Sequence, residues 1–335
     1  MTKKRSVRGA AEAERLLALY TTMRLIREVE SRLIKLFADG EVPGFIHLSI
    51  GQEGVAAGVM SALERQDTMA TTHRGHGHVL ARGLDVDRFF REIMGKAGGI
   101  CAGRGGSMHV SDMALGIIGA NGIVGAGIPI ALGSALAHDT LGNKGVAVAF
   151  FGDGAMAEGV LHETLNLAAL WRMPLLLVCE NNGWSEFSPT SRQFVARLQA
   201  LAGAFGLRYA HADGSDVLAV ADTASSLVAG VRAGEGPAVL ECTTQRVRGH
   251  YEGDPQKYRD AAEMQALSQC DPLPISRQRL LELGVGEEQV LAVDEQVLAQ
   301  VQGAVERARA DVLPDFQEAM AGVYGAALQA PEGAV

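Results

Sequence analysis

The sequence predicts an α/β protein: a doubly wound parallel sheet flanked by helices, with helical additions at the N- and C-terminal ends. Three observations predict it. Residues 145–151 (GVAVAFF) and 174–179 (PLLLVC) are short, nearly continuous apolar runs, the pattern of strands buried on both faces. A segment of helical period, 156–171, lies between them, and strand–helix alternation of this length implies right-handed crossovers between parallel strands. Glycine accounts for 41 of 335 residues, about 12% against an average near 7%, so tight backbone turns are abundant.

The elements follow in order. From residue 12 to about 38, Leu16, Leu17, Tyr20, Met23, Leu25, Ile26, Leu33 and Leu36 recur at helical spacing and stop at Gly40, giving an N-terminal helical arm, 1–40. A second helix starts near Gln52 and another spans 86–94; residues 95–109 (GKAGGICAGRGGSMH) have too little periodicity for either element and read as a loop. The uncharged stretch 113–137 is long enough to cross a bilayer, but six glycines, Asn121 and Pro129 would break it with no second span to satisfy the backbone. It reads as a glycine-rich loop followed by a buried helix, and the protein as soluble, with no membrane partner. In the helix 156–171, Leu161, Leu165, Ala168 and Ala169 share one face. Strands at 207–210 and 238–242 bracket a helix at 217–231, and a polar loop, 243–260, ends the α/β domain, 41–260. Only helices follow, at 261–269, 275–283 and 287–310, within a C-terminal region 261–335.

Lys and Arg total 30 against 39 Asp and Glu, a net charge of −9 spread along the chain, which argues against a nucleic-acid partner. Hydrophobic residues at 47% and charged residues at 21% exclude disorder. Cys101, Cys179, Cys242 and Cys270 form no close pair, so neither a disulfide framework nor a CxxC metal or redox motif is present; reduced thiols and a cytoplasmic setting are expected. The basic start, MTKKRSVRGA, is followed by no apolar core and is not read as a secretory signal.

In open parallel sheets ligands bind beyond the carboxyl ends of the strands. There the first central strand runs into Gly152-Asp153-Gly154-Ala155 and the second into Glu180-Asn181-Asn182-Gly183-Trp184. Glycines around Asp153 let backbone amides approach an anion at the next helix start. Asp153 and Asn182 offer hard oxygen ligands suited to magnesium, which shares its shell with phosphates. A magnesium–diphosphate site is the physical reading. A dinucleotide site lacks its third glycine and its ribose carboxylate, and no Walker A pattern occurs. His73, His76 and His78 match no common zinc spacing and hold Arg74 in their midst.

The run from GDG at 152 to NN at 182 resembles the thiamine diphosphate motif. GFIHLSIGQEGVAAG (44–58), THRGHGH (72–78), GRGGSMH (103–109), GANGIVGAGIPIALG (119–133) and RVRGHYEGDPQKYRD (246–260) resemble the alpha subunit of the thiamine-dependent dehydrogenase component of 2-oxo acid dehydrogenase complexes, closest to acetoin dehydrogenase alpha subunits. Pyruvate and branched-chain members usually have tyrosine where His73 stands. The resemblance implies the thiamin diphosphate-binding fold, with the chain as its diphosphate-binding domain. Asp153, Asn182 and the carbonyl of Trp184 (usually tyrosine) would hold magnesium. Gly154, Ala155, Arg74, His73 and His250 would meet the diphosphate, and Gly122 and Val124 the aminopyrimidine. His250 is the expected catalytic residue; His76 is a second catalytic candidate, with His47 a further candidate for the substrate channel. Tyr251 stands where mammalian pyruvate members carry a regulatory phosphoserine, so serine-kinase control is not expected.

The resemblance further implies a beta subunit that supplies the pyrimidine-binding half and its glutamate in an α2β2 tetramer. The small-molecule substrate is acetoin or a 2-oxo acid, and the acyl group passes to a lipoyl-bearing acyltransferase. A pyruvate or branched-chain enzyme is the alternative, and a non-catalytic scaffold the alternative of another class; intact Asp153, Asn182, Arg74 and His250 speak against the scaffold.

Overall fold

The computed structural model describes residues 2–315 and 317, with side chains from residue 9 onward; residues 318–335 of the expected C-terminal helical region lie outside the described residues. The helices are α1 (Thr2–Ala38), α2 (Glu53–Met60), α3 (His76–Ala81), α4 (Val86–Ile93), α5 (Gly127–Leu141), α6 (Gly159–Trp171), α7 (Leu198–Ala204), α8 (Val217–Arg232), α9 (Ala261–Ala266), α10 (Pro272–Glu282) and α11 (Glu287–Arg309). The strands are β1 (Thr68–Ala70), β2 (Ile117–Gly119), β3 (Ala147–Gly152), β4 (Leu175–Asn181), β5 (Trp184–Ser185), β6 (Ser188–Pro189), β7 (Arg208–Asp213) and β8 (Ala238–Thr243).

Six strands form one parallel sheet in the order β2-β1-β3-β4-β8-β7, while β5 and β6 make a separate antiparallel hairpin. Side chains alternate across the sheet, as strand geometry requires. From β3, Ala147, Ala149 and Phe151 join α5, α6 and α7 in one apolar layer, whose helical side is Ile128, Ala131, Leu161, Leu165 and Leu198. Val148 and Phe150 join the opposite layer, with Ile26 of α1, Val59 of α2, Phe89 of α4, Val220 of α8 and Val301 of α11. Both faces are covered, which is the doubly wound arrangement, and it explains why β3 and β4 are apolar throughout. Among the described residues no helix is long and apolar enough to cross a membrane; the uncharged stretch after Met113 becomes a turn, β2, a loop and α5.

The chain leaves β1 toward one edge, forms β2, and returns through α5 to β3 on the other side of β1. That reversal is a topological switch point, and the tips of β1 and β3 open a crevice there. Register completes the placement: Gly152 of β3 pairs with Glu180 of β4, so Asp153 and Asn182 emerge next to each other.

Departures from expectation have local causes. β1 and β2 have three residues each and are too short to stand out as apolar runs. The helix expected over 156–171 opens instead with a 3-10 turn, Asp153–Ala157; Glu158 is extended at φ −79° and ψ 134°, and α6 begins only at Gly159. The helix expected over 275–283 begins earlier because Asp271 accepts from the Leu273 amide and Pro272 occupies the first helical position, where its missing N–H costs nothing. The helix expected over 261–269 ends at Ala266 and tightens into a 3-10 turn, Leu267–Cys270.

Candidate active site

One cleft lies beyond the carboxyl ends of β1, β3 and β4. It is lined by His47, His73, Arg74, Gly122, Val124, Asp153, Gly154, Ala155, Asn182, Trp184 and His250, together with Gln52 and Arg246. Residues from six separate stretches of chain thus meet at the switch point.

Asp153 is 1% exposed. Its Oδ1 accepts from the Asn182 amide N–H at 3.4 Å and its Oδ2 from the Thr190 hydroxyl. Burial, outweighing those bonds, pushes the carboxyl up to about 6. The Asn182 side chain is fixed at both ends: its Nδ2 donates to Gln52 Oε1 at 3.0 Å, and its Oδ1 accepts from the Trp184 N–H at 3.1 Å. Gly154 sits against Ser185 so closely that an added Cβ would collide with the serine Oγ, so only glycine lets the turn after β3 lie under the hairpin.

Two guanidinium groups are buried in the same cleft. Arg74 donates to the Leu48 carbonyl at 2.7 Å and to the His250 carbonyl at 2.9 Å. Arg246, 1% exposed, donates to the Tyr258 hydroxyl at 2.8 Å and the Glu186 carbonyl at 3.1 Å, and its Nε has no partner. Neither is paired with a carboxylate among the described residues. Burial and the neighbouring Arg246 lower Arg74 to about 10. Buried charges are ordinarily paired. An anion on the arginines and a cation on Asp153 would supply the missing counter-charges, so the donor set fits a diphosphate bridged by a hard divalent ion.

His250 is half-buried. Its N–H donates to Asp254 Oδ2 at 2.7 Å, and its Nδ1 lies 3.4 Å from Arg246 Nη1. Burial, then Arg74 and Arg246, lower it to about 4, so it is a neutral imidazole at neutral pH. The sequence expectation of proton exchange near neutrality held only for an unperturbed ring; an anion seated on the arginines would move it back upward. His47, His73 and His250 lie within van der Waals reach as rings, with centroids 4.6 to 5.5 Å apart.

His76 is not brought to the cleft. It is 1% exposed and both ring nitrogens are occupied, Nδ1 by Glu30 Oε2 at 3.1 Å and Nε2 by the Ser107 hydroxyl at 2.7 Å. The ring, expected as a second catalytic candidate, lies outside the residues that line the cleft and closes a buried network between α1 and the glycine-rich loop. His78 is likewise taken, by Thr71 at 2.7 Å and Glu180 at 3.3 Å, so His73, His76 and His78 do not converge.

Sequence reasoning missed Gln52 and Arg246. Gln52 is 130 positions from Asn182, and nothing in its local sequence marks the contact. Arg246 stood four residues before His250 in a loop already singled out, and its type alone, a guanidinium beside a phosphate motif, was the available signal. Trp184 adds a further anchor: its Nε1 donates to Glu263 Oε1 at 2.8 Å, and the Arg259 guanidinium lies 5.8 Å from its ring, tying the hairpin to the start of α9.

Residues 21–317 match the family described as dehydrogenase E1 component. The chain is 40% identical over 332 residues to the alpha subunit of an acetoin:2,6-dichlorophenolindophenol oxidoreductase from Cupriavidus necator, covering 97% of this chain and 99% of that protein. It is 40% identical over 315 residues to the subunit of the same description from Bacillus subtilis, covering 93% and 94%. It is also 40% identical over 311 residues to the pyruvate dehydrogenase E1 component subunit alpha of Zymomonas mobilis, covering 92% and 88%.

Proposed function

The chain belongs to the dehydrogenase E1 component family, and from that membership we propose that it is the alpha subunit of a thiamine diphosphate-dependent dehydrogenase component that cleaves acetoin and passes the acyl group to the lipoyl domain of an acyltransferase. The observation that carries the reading is the pairing of Asp153 with Asn182 at adjacent strand tips, in a cleft with two buried guanidinium groups that lack carboxylate partners. Magnesium is the proposed ion, held by Asp153, Asn182 and the Trp184 carbonyl. When bound, thiamine diphosphate supplies the nucleophilic carbon and the electron sink for breaking a C–C bond.

This chain's residues have narrower tasks. Arg74 and Arg246 seat the diphosphate charge, with Gly154 and Ala155 presenting amides from the turn. Gln52 holds the Asn182 amide nitrogen and so fixes the orientation of that side chain. Gly122 and Val124 offer main-chain groups to the pyrimidine. His250, neutral and aimed into the cleft, assists acyl transfer by holding or releasing a proton at a ring nitrogen. A beta subunit in an α2β2 assembly completes the site. A cytoplasmic setting is part of the proposal, supported by four free cysteines.

A pyruvate or branched-chain 2-oxo acid is the second reading, favoured by the equal identity to the Zymomonas mobilis subunit. Dye reduction by the co-expressed alpha and beta pair, with acetoin against pyruvate and branched-chain 2-oxo acids, decides between them. Asp153→Ala is expected to abolish magnesium-dependent binding of thiamine diphosphate in calorimetry; unchanged binding refutes the site.

A further inference from the structure

We propose that Glu241 of β8 is a positioning residue for the cation site, acting through Asn181 on the turn that presents Asn182 and the Trp184 carbonyl. The inference rests on the magnesium–diphosphate reading and extends it to a side chain that does not line the cleft. In the sheet β8 lies between β4 and β7, and each neighbour sends one polar group to Glu241. Asn181 Nδ2, at the end of β4, donates to Glu241 Oε1 at 2.7 Å. The Tyr209 hydroxyl, from β7, donates to Oε2 at 2.6 Å. All three side chains are half-buried, so a row of two hydrogen bonds crosses three strands and ends beside Asn182.

The direction of those bonds sets the turn. A carboxylate only accepts, so Asn181 offers its NH2 end to Glu241, which leaves Oδ1 for the Gly183 N–H at 3.1 Å. That bond closes a turn in which Gly183 takes φ +78°, a conformation that suits glycine. The Gly183 carbonyl accepts from the Thr190 N–H at 3.0 Å, and the Trp184 N–H donates to Asn182 Oδ1 at 3.1 Å. Both oxygens assigned to the ion therefore sit on a stretch that Asn181 braces at Gly183. Without Glu241 the Asn181 amide can reverse, setting its NH2 against the Gly183 N–H and opening the turn.

Magnesium demands near-octahedral oxygen ligands at about 2.0–2.1 Å, so a small displacement of either oxygen weakens binding. Removing a residue that orients a metal's ligands typically costs about 10- to 100-fold in affinity. The sheet itself does not need this carboxylate. Main-chain pairing joins β8 to β4 and to β7 over six residue pairs on each side, and the Asn181 carbonyl accepts from the Thr244 N–H at 3.0 Å.

The test is a titration of the co-expressed alpha and beta pair with Mn²⁺ in place of Mg²⁺, at saturating thiamine diphosphate. Free Mn²⁺ is read by electron paramagnetic resonance. Glu241→Ala is expected to weaken Mn²⁺ binding about tenfold or more while leaving the circular dichroism spectrum unchanged. Glu241→Gln keeps an acceptor oxygen for Asn181 and should restore most of the affinity. Tyr209→Phe removes one of the two bonds that hold the carboxylate and should weaken Mn²⁺ about threefold. If Glu241→Ala fails to fold or assemble, Tyr209→Phe decides. Native affinity in Glu241→Ala or, where that variant fails, in Tyr209→Phe overturns the inference alone, as does an equal loss in Glu241→Gln and Glu241→Ala. Absence of Mn²⁺ binding by the unsubstituted pair overturns the cation-site reading and this inference with it.

Discussion

Asp153 is where the charge balance of the site is most exposed to test. Its folded pKa, about 6, lies above that of an unfolded aspartate, so its contribution to stability is present below about pH 4 and is lost as pH rises through about 6. A divalent ion on the carboxylate reverses that penalty. The melting-temperature gain from magnesium with thiamine diphosphate should therefore grow between about pH 5 and 7 and then level off. Asp153→Asn should lack the carboxylate-dependent part of that rise, and a wild-type gain that is flat across this range would contradict the assignment. At the same scale, Gln52 shows how a site residue can be invisible locally: its amide oxygen accepts from Asn182 Nδ2 and fixes that side chain from 130 positions away.

The glycine-rich loop between α4 and β2 is organised by one side chain. Glu92, 0% exposed at the end of α4, accepts from the amides of Cys101, Gly103, Gly105 and Gly106 at 2.7 to 3.1 Å. A buried carboxylate surrounded by four backbone donors replaces the sheet or helix bonds this loop lacks, and it explains how a segment without periodicity holds one shape. Beside it, Ser107 bonds to His76 and Met108 reaches the cleft, so the loop's form bears on the site. Glu92→Ala should destabilise the chain by about 3 kcal/mol or more, since four charge-assisted bonds are lost together. Urea unfolding measures the loss, and amide exchange should accelerate at Cys101, Gly103, Gly105 and Gly106. Exchange unchanged at those amides would count against the role.

Across the whole molecule, the cleft opens beside an apolar surface. Ile123 is 73% exposed and Val124 51%, and the exposed side of α5 continues through Ile130, Leu136 and Leu141. Large exposed apolar groups beside a cleft are the kind of surface a partner subunit buries. Because Val124 lines the cleft and also belongs to this surface, a subunit seated there would wall the cleft. The isolated chain should therefore bind magnesium and the diphosphate end of the cofactor yet give no turnover. Dye reduction should appear only when the beta subunit is added; full turnover by the chain alone would contradict this.

By itself the sequence determined the two central strands, because burial on both faces demands uninterrupted apolar residues in β3 and β4. It also placed Asp153 and Asn182 at their tips, because polar groups that directly follow such strands emerge where the sheet ends. The three-residue strands β1 and β2 escaped notice, since so few residues carry no period. The tertiary structure alone decided the contacts set by chain reversal at the switch point. It brought Gln52 to Asn182 and Arg246 to Arg74, drew His47 to His250, and turned His76 away into a sealed pair of hydrogen bonds. Spacing along a chain encodes what lies within a turn or two of helix or strand; which distant loops share a cleft is set by the order in which strands pack, and that order is a property of the whole sheet.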